Sequence, residues 1–96
     1  MVIAITLDGY KISNATGTGT GTINAGATGT VSVTLSSTEL ANIKNVLGVT
    51  QITVSGATVY LVAFNASSNT VTVTLYNPGT TAATVTVTVT ATVVGN

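Results

Sequence analysis

Residues 83–94 read Ala-Thr-Val-Thr-Val-Thr-Val-Thr-Ala-Thr-Val-Val, an alternation of apolar and hydroxyl side chains with a period of two. β-Branched residues crowd a helix but pack well on a pleated sheet. With this period the threonines share one face, and the opposite face carries Val85, Val87, Val89, Ala91 and Val93. The stretch predicts a long strand with one buried face, and hence a protein built from sheets.

The chain carries almost no charge. Its 96 residues include two basic and two acidic side chains, whereas about a quarter of the residues of an ordinary soluble domain are charged. This length fits one domain, residues 1–96, with a single core. So few cations exclude a nucleic-acid-binding surface, and no apolar run approaches the ~20 residues of a membrane span. An uncharged, hydroxyl-rich surface associates readily and responds little to pH or salt, which favours a polymer in a harsh extracellular setting.

The usual catalytic side chains are scarce. The sequence contains neither cysteine nor histidine, so disulfides, thiolate chemistry and the commonest metal ligand and general base are absent. Asp8 and Glu39 stand far apart in sequence and form no acid–base or metal motif. The glycine-rich stretch 17–22 lacks the buried strand, the following helix and the lysine of a phosphate loop. We therefore expect no enzyme activity, no cofactor and no metal.

Apolar alternation and turn residues predict further strands. The predicted strands are Met1–Leu7, Tyr10–Ser13, Gly29–Leu35, Val49–Ser55, Thr58–Phe64, Thr70–Tyr76 and Ala83–Val94. Tyr60–Phe64 is apolar throughout, which indicates a core strand covered on both faces. Residues 15–30 alternate glycine and threonine with few large side chains, which predicts a loop or an irregular edge strand. Asn65–Asn69 and Asn77-Pro78-Gly79 are predicted turns.

One segment has the signals of a helix. Ser36 and Glu39 have the spacing of a capping box, and Gly48 is placed to end the helix. Between them, the apolar side chains that fall on one helical stripe are Leu40, Ile43, Val46 and Leu47. The sequence therefore predicts an all-β protein, an antiparallel β-sandwich with one short crossover helix.

The sheet edges of such a protein are poorly protected. Lysine and proline normally blunt edge strands, but the single proline lies in a predicted turn and neither lysine lies in the last strand. We therefore expect a homopolymer in which a terminal strand of one subunit completes the sheet of the next. The preferred donor is Met1–Leu7, with Ile3, Ile5 and Leu7 as its subunit-contact side chains, and the second choice is Ala83–Val94.

Residues 70–87 read Thr-Val-Thr-Val-Thr-Leu-Tyr-Asn-Pro-Gly-Thr-Thr-Ala-Ala-Thr-Val-Thr-Val. This stretch resembles the strand, Asn-Pro-Gly turn and strand of extracellular Ig-like modules on archaeal and bacterial surfaces. The whole composition is similar to that of archaeal bundling pilins and thread subunits, which polymerise by donor-strand complementation. The resemblance implies an Ig-like or jelly-roll-like sandwich in a thermostable extracellular filament. Those pilins are secreted with signal peptides, and none is visible here, so a virion filament or coat protein is expected as well.

The predicted function is a noncatalytic structural subunit of a homopolymeric filament, on a cell surface or on a virion. The main partner is another copy of the chain, and a host-cell or cell-surface receptor is a further candidate. A viral capsid or decoration protein is one alternative, and an adhesive or carbohydrate-binding module is another. The latter needs an exposed aromatic platform, whereas we expect core or edge packing for Tyr10, Tyr60, Phe64 and Tyr76.

Two N-glycosylation sequons begin at Asn14 and Asn65. Both fall in segments that are predicted to be turns, where a glycan can be accommodated. They are candidate modification sites if the protein is displayed outside the cell.

Overall fold

The computed structural model describes residues 9–96 in full and the backbone of residues 2–5. These described residues form two antiparallel sheets and no helix. The strands are β1 (Val2–Ile5), β2 (Lys11–Ile23), β3 (Thr28–Thr34), β4 (Ile43–Ser55), β5 (Tyr60–Ser67), β6 (Thr70–Tyr76) and β7 (Ala83–Gly95). One sheet has the order β1-β2-β7-β4 and the other the order β3-β6-β5. The all-β prediction is confirmed, and the arrangement is consistent with a β-sandwich.

β7 lies in the middle of the larger sheet, between β2 and β4. Its inward side chains are at most 1 % exposed from Val85 to Val93. Its threonines lie on the outer face, where the hydroxyl oxygens of Thr88 and Thr18 are 3.3 Å apart. The alternation in residues 83–94 therefore gives one face to the core and the other to a hydroxyl-rich surface.

The glycine-threonine segment forms β2, and the loop or irregular edge strand predicted for residues 15–30 is wrong. β2 pairs with β7 along its whole length without a register shift. Its glycines take the inward positions, where β3 leaves no room for a side chain. A Cβ atom at Gly19 would lie 2.5 Å from the carbonyl oxygen of Ser32. The glycines thus serve close packing of β2 on β3.

The core lies between β7 and the paired strands β3 and β6. These two strands match the predicted strands Gly29–Leu35 and Thr70–Tyr76 and pair in register over seven residues. Their inward side chains are at most 2 % exposed, namely Val31, Val33, Val71, Val73 and Leu75. The inward alternation predicted for these strands is confirmed.

The predicted crossover helix is wrong. Residues 36–42 form only an isolated bridge between Ser36 and Thr16, and β4 already begins at Ile43. The pairing of β4 with β7 has three register shifts between Ile43 and Gln51. Each β-bulge sets three residues of β4 against two of β7. The inward positions therefore recur every three residues, which imitates a helical stripe, at Ile43, Val46, Val49 and Ile52.

β5 is an edge strand, so the covered core strand predicted for Tyr60–Phe64 is also wrong. It pairs with β6 on one side, and no described strand pairs with it on the other. Tyr60 is 59 % exposed and Val62 is 57 % exposed. The segment has the composition of a buried strand, but the described part of a single chain does not bury it.

The connections agree with the sequence in part. Asn77-Pro78-Gly79 joins β6 to β7 as predicted, and the Asn77 side chain is 2 % exposed. Its amide nitrogen donates hydrogen bonds to the carbonyl oxygens of Ile23 and Thr81, at 3.0 and 2.8 Å. The predicted Asn65–Asn69 turn is shorter, because β5 continues to Ser67 and the turn occupies residues 68 and 69.

Candidate assembly interface

The described chain has one side on which apolar side chains of both sheets reach solvent. An open groove of about 250 Å³ runs there between β4 and β5. Its walls are formed by Val49, Thr50, Gln51 and Ile52 of β4 and by Leu61 and Phe64 of β5. We call this feature the β4–β5 groove. None of its lining residues carries a charge.

The two groove residues of β5 belong to the inner face of the smaller sheet. In the β5–β6 pairing, Leu61 lies opposite Leu75 and Phe64 lies opposite Val73. The two β6 residues are completely buried, whereas Leu61 and Phe64 are 48 % and 49 % exposed. Cross-strand partners therefore share one face of the sheet and differ in burial, because the core is open beside β5.

The opposite side of the molecule is closed. The amide of Thr16 donates to the carbonyl of Ser36 at 3.0 Å, and the amide of Ser36 donates to the carbonyl of Thr16 at 2.9 Å. The inward glycines of β2 also allow β3 to approach closely. The two sheets are thus joined on the β2–β3 side and separated by a groove on the β4–β5 side.

The two strands that border the groove differ as edges. β4 carries three consecutive register shifts, and its bulged positions include Lys44, both of which obstruct the addition of another strand. β5 has one register shift, between Leu61 and Ala63, and contains neither a charged residue nor proline. β5 is therefore the edge that is open to pairing.

Lys44 also makes a specific contact with the residue that precedes β2. Its ammonium donates a hydrogen bond of 2.7 Å to the Tyr10 hydroxyl and lies 4.6 Å from the centroid of that ring. A cation over an aromatic face is attracted by the ring quadrupole. Because this contact spans two strands of the larger sheet, it helps to fix the first bulge of β4.

The predicted donor strand is described over Val2–Ile5, as β1 on the edge of its own sheet. It pairs with residues 11–13 of β2 through Val2, Ala4 and Ile5, with a register shift after Val2. Ile3 and Ile5 belong to this strand, and Leu7 lies outside the described residues. The second choice of donor, Ala83–Val94, is β7 in the middle of the larger sheet, so its release would dismantle the core.

A polar cluster surrounds Glu39. The Thr38 hydroxyl donates to its carboxylate at 2.8 Å, and the hydroxyls of Ser13 and Ser37 lie at 3.5 Å. Hydrogen bonds that include the one from the Thr38 hydroxyl lower the pKa of Glu39 to about 2. Asp8 lies outside the described residues, and those described hold no group of three acidic, histidine or cysteine residues that could bind a metal. These hydrogen bonds favour the ionised form of Glu39.

Both sequons lie on strands, so the predicted turn positions are wrong. Asn14 is exposed on β2, opposite Thr92 of β7, and Asn65 is exposed on β5. The side chains remain accessible for modification. A glycan on Asn65 would stand on the same strand that lines the β4–β5 groove.

The aromatic side chains are largely at the surface. Tyr60 lies opposite Tyr76 in the β5–β6 pairing, and these residues are 59 % and 36 % exposed. Phe64 lines the groove, and Tyr10 is half-buried against Lys44. The expectation of core packing therefore fails for Tyr60 and Phe64.

Sequence reasoning missed the groove residues Leu61 and Phe64 as contact candidates. The available signal was the unbroken apolar run from Tyr60 to Phe64, which favours a strand covered on both faces. An apolar run indicates that a strand is buried, but it does not show whether the same chain or another chain buries it. The β4 wall of the groove had no such signal, because its spacing imitates a helix.

Among the described residues, no helix is long and apolar enough to cross a membrane. No family model, curated protein or solved structure matches this chain.

Proposed function

We propose that this protein is a noncatalytic structural subunit of a homopolymeric filament, assembled by β-strand complementation between subunits. The observation that carries the proposal is the free edge of β5. Its apolar side chains are exposed on a strand whose second edge has no partner among the described strands, and the strand has no lysine, proline or charge to discourage pairing there. An exposed apolar strand edge of this kind marks a surface for interaction with another chain.

The surface composition supports association between copies of the same chain. With two positive and two negative side chains, two copies meet little electrostatic repulsion. The outer face of the larger sheet adds rows of threonine hydroxyls that neither attract nor repel by charge. Self-association therefore needs no complementary charge pattern and no second protein.

We place the filament outside the cell, on a cell surface or in a virion. A surface with few titratable groups keeps its properties over a wide range of pH and salt, which suits such a setting. Within the all-β class we propose an Ig-like or jelly-roll-like sandwich. A closed viral shell or decoration protein built through the same edge is the alternative in the same class, and a host-cell or cell-surface receptor would then be a second partner.

One observation favours a second candidate function, carbohydrate binding. Tyr60 and Tyr76 are cross-strand neighbours, and both are exposed. Two adjacent aromatic rings offer the apolar, hydrogen-bonding surface on which sugar rings stack. The Tyr60→Ala variant should then lose binding to insoluble polysaccharides such as cellulose or chitin, whereas Thr20→Ala on the outer face of β2 should retain it.

Electron microscopy and sedimentation velocity of the purified chain, over a range of concentrations, test the main proposal. Uniform filaments above a critical concentration are the expected result. Closed particles would favour the shell, and a monodisperse monomer at every concentration would contradict assembly and leave the sugar-binding candidate.

A further inference from the structure

We propose that the β4–β5 groove receives β1 of a second copy, with Ile3 and Ile5 of that copy directed at Leu61 and Phe64. The inference rests on the proposed homopolymer and identifies the surface that accepts the donor strand. The incoming strand would pair with the free edge of β5 and close the open side of the core.

The edge structure selects β5 as the partner of the incoming strand. A regular strand needs a continuous row of backbone groups at constant register, and the three register shifts of β4 interrupt such a row. β5 is regular from Ala63 to Ser67. The β4 wall therefore contributes side chains, Val49 and Ile52, and β5 contributes the hydrogen bonds.

The shape of the groove favours an inserted strand over symmetric pairing of two β5 strands. Symmetric pairing would satisfy the edge but leave the space between β4 and β5 unfilled. An inserted strand directs every second side chain inward, where it contacts both walls. An aromatic side chain buries about 150–250 Å², so covering the half-exposed Phe64 adds about half of that area toward the ~800 Å² per partner of a stable interface.

The properties of β1 fit this position. Residues 1–7 are uncharged and alternate around Ile3 and Ile5, so they match a groove without charged lining. Four residues of extended chain span about 13 Å, which fits within the regular part of β5 from Ala63 to Ser67. In its own sheet β1 is held by a short and irregular pairing with β2, so its exchange costs fewer hydrogen bonds than that of any other described strand.

Intermolecular disulfide trapping tests the assignment, and the absence of native cysteine makes it clean. One preparation carries Ile3→Cys or Ile5→Cys, and a second carries Leu61→Cys or Phe64→Cys. The two are mixed under assembly conditions and oxidised. We expect a mixed disulfide in at least one of the four combinations, and the combination that reacts gives the direction of the strand. Single preparations oxidised alone are the controls.

A second variant tests the groove without cysteine. Phe64→Lys should raise the critical concentration for assembly by roughly tenfold or more, because an ammonium would have to enter an apolar groove. Thr20→Lys, on the exposed outer face of β2, adds the same charge and should leave the critical concentration nearly unchanged. Circular dichroism of the unassembled variants checks that both are folded.

The outcomes separate the inference from the proposed function. If the unmodified chain forms no filaments, the homopolymer and this inference both fail. If filaments form but none of the four combinations cross-links, only the groove assignment is overturned. A disulfide between two Phe64→Cys copies, with none to residues 3 or 5, would instead show symmetric β5 pairing and overturn β1 as the occupant.

Discussion

Gly17 lies directly against the backbone carbonyl of Thr34, and a Cβ atom at this position would overlap with the carbonyl oxygen. Gly19 stands in the same way against the Ser32 carbonyl, and a Cβ atom at Gly21 would lie 2.8 Å from a methyl group of Val31. The repeated glycines therefore set the close contact between β2 and β3 that closes one side of the molecule. Alternating glycines suggest a flexible segment in the sequence, but in the fold they allow β2 and β3 to pack closely.

We expect Gly19→Ala to lower the free energy of unfolding by about 1–3 kcal/mol, because overpacking forces the backbone to move. The new Cβ would lie 2.5 Å from the Ser32 carbonyl oxygen. Gly48→Ala on β4 is the matched control, since no atom lies within 4 Å of a Cβ placed there; its effect should stay within about 0.5 kcal/mol. Urea unfolding below the assembly concentration measures both, and equal losses would contradict the role of the β2 glycines.

The strands with a strict period of two were predictable from the sequence. The wrong prediction of a helix has its cause in the spacing of the apolar residues of β4. Val31 and Val33 alternate with polar residues and are buried as expected. The apolar residues of β4 are spaced by three, because bulges add a residue to each step. No rule of alternation distinguishes that spacing from a helix over so short a segment.

Mutation of two neighbouring residues, Val46 and Leu47, tests whether this segment is a bulged strand or a helix. Val46 lies opposite Val93 and packs against the core, whereas Leu47 is 54 % exposed. We expect Val46→Ala to cost about 1 kcal/mol of unfolding free energy, from the loss of partly buried methyl groups. Leu47→Ala should change it by less than about 0.5 kcal/mol. Comparable losses in thermal unfolding would favour the helical stripe, on which both side chains face inward.

For the proposed interface, the sequence suggests a donor strand but not the acceptor. Ile3 and Ile5 stand out as apolar residues at an uncharged terminus, and the lack of edge protection is visible in composition. The acceptor depends on which strand is at an edge and on which side the core is open. Both properties follow from long-range pairing, which no local pattern around Leu61 or Phe64 specifies.

Asn77 is expected to be the most sensitive polar side chain of the fold. Asn77→Ala removes the donor to the Ile23 and Thr81 carbonyls and the acceptor of the Gly79 amide, which are made at 2.8–3.0 Å. Buried polar groups without partners cost about 1–3 kcal/mol, so we expect a loss of roughly that size. Asn65→Ala removes the same side chain from an exposed strand position and should be nearly neutral. A neutral Asn77→Ala in urea unfolding would contradict the role assigned to this turn.

The response to acid should come largely from Glu39. Its pKa is lowered from 4.5 to about 2 by hydrogen bonds that include the one from the Thr38 hydroxyl. A depressed pKa in the folded state means that the stabilisation is fully present above about pH 4.5 and is lost as the pH falls toward 2. We expect the unfolding free energy of the chain to be flat from pH 5 to neutrality and to decline below that range, as followed by urea unfolding at each pH. Glu39→Gln should flatten the decline, and a variant that retains the full acid response would show that another group is responsible.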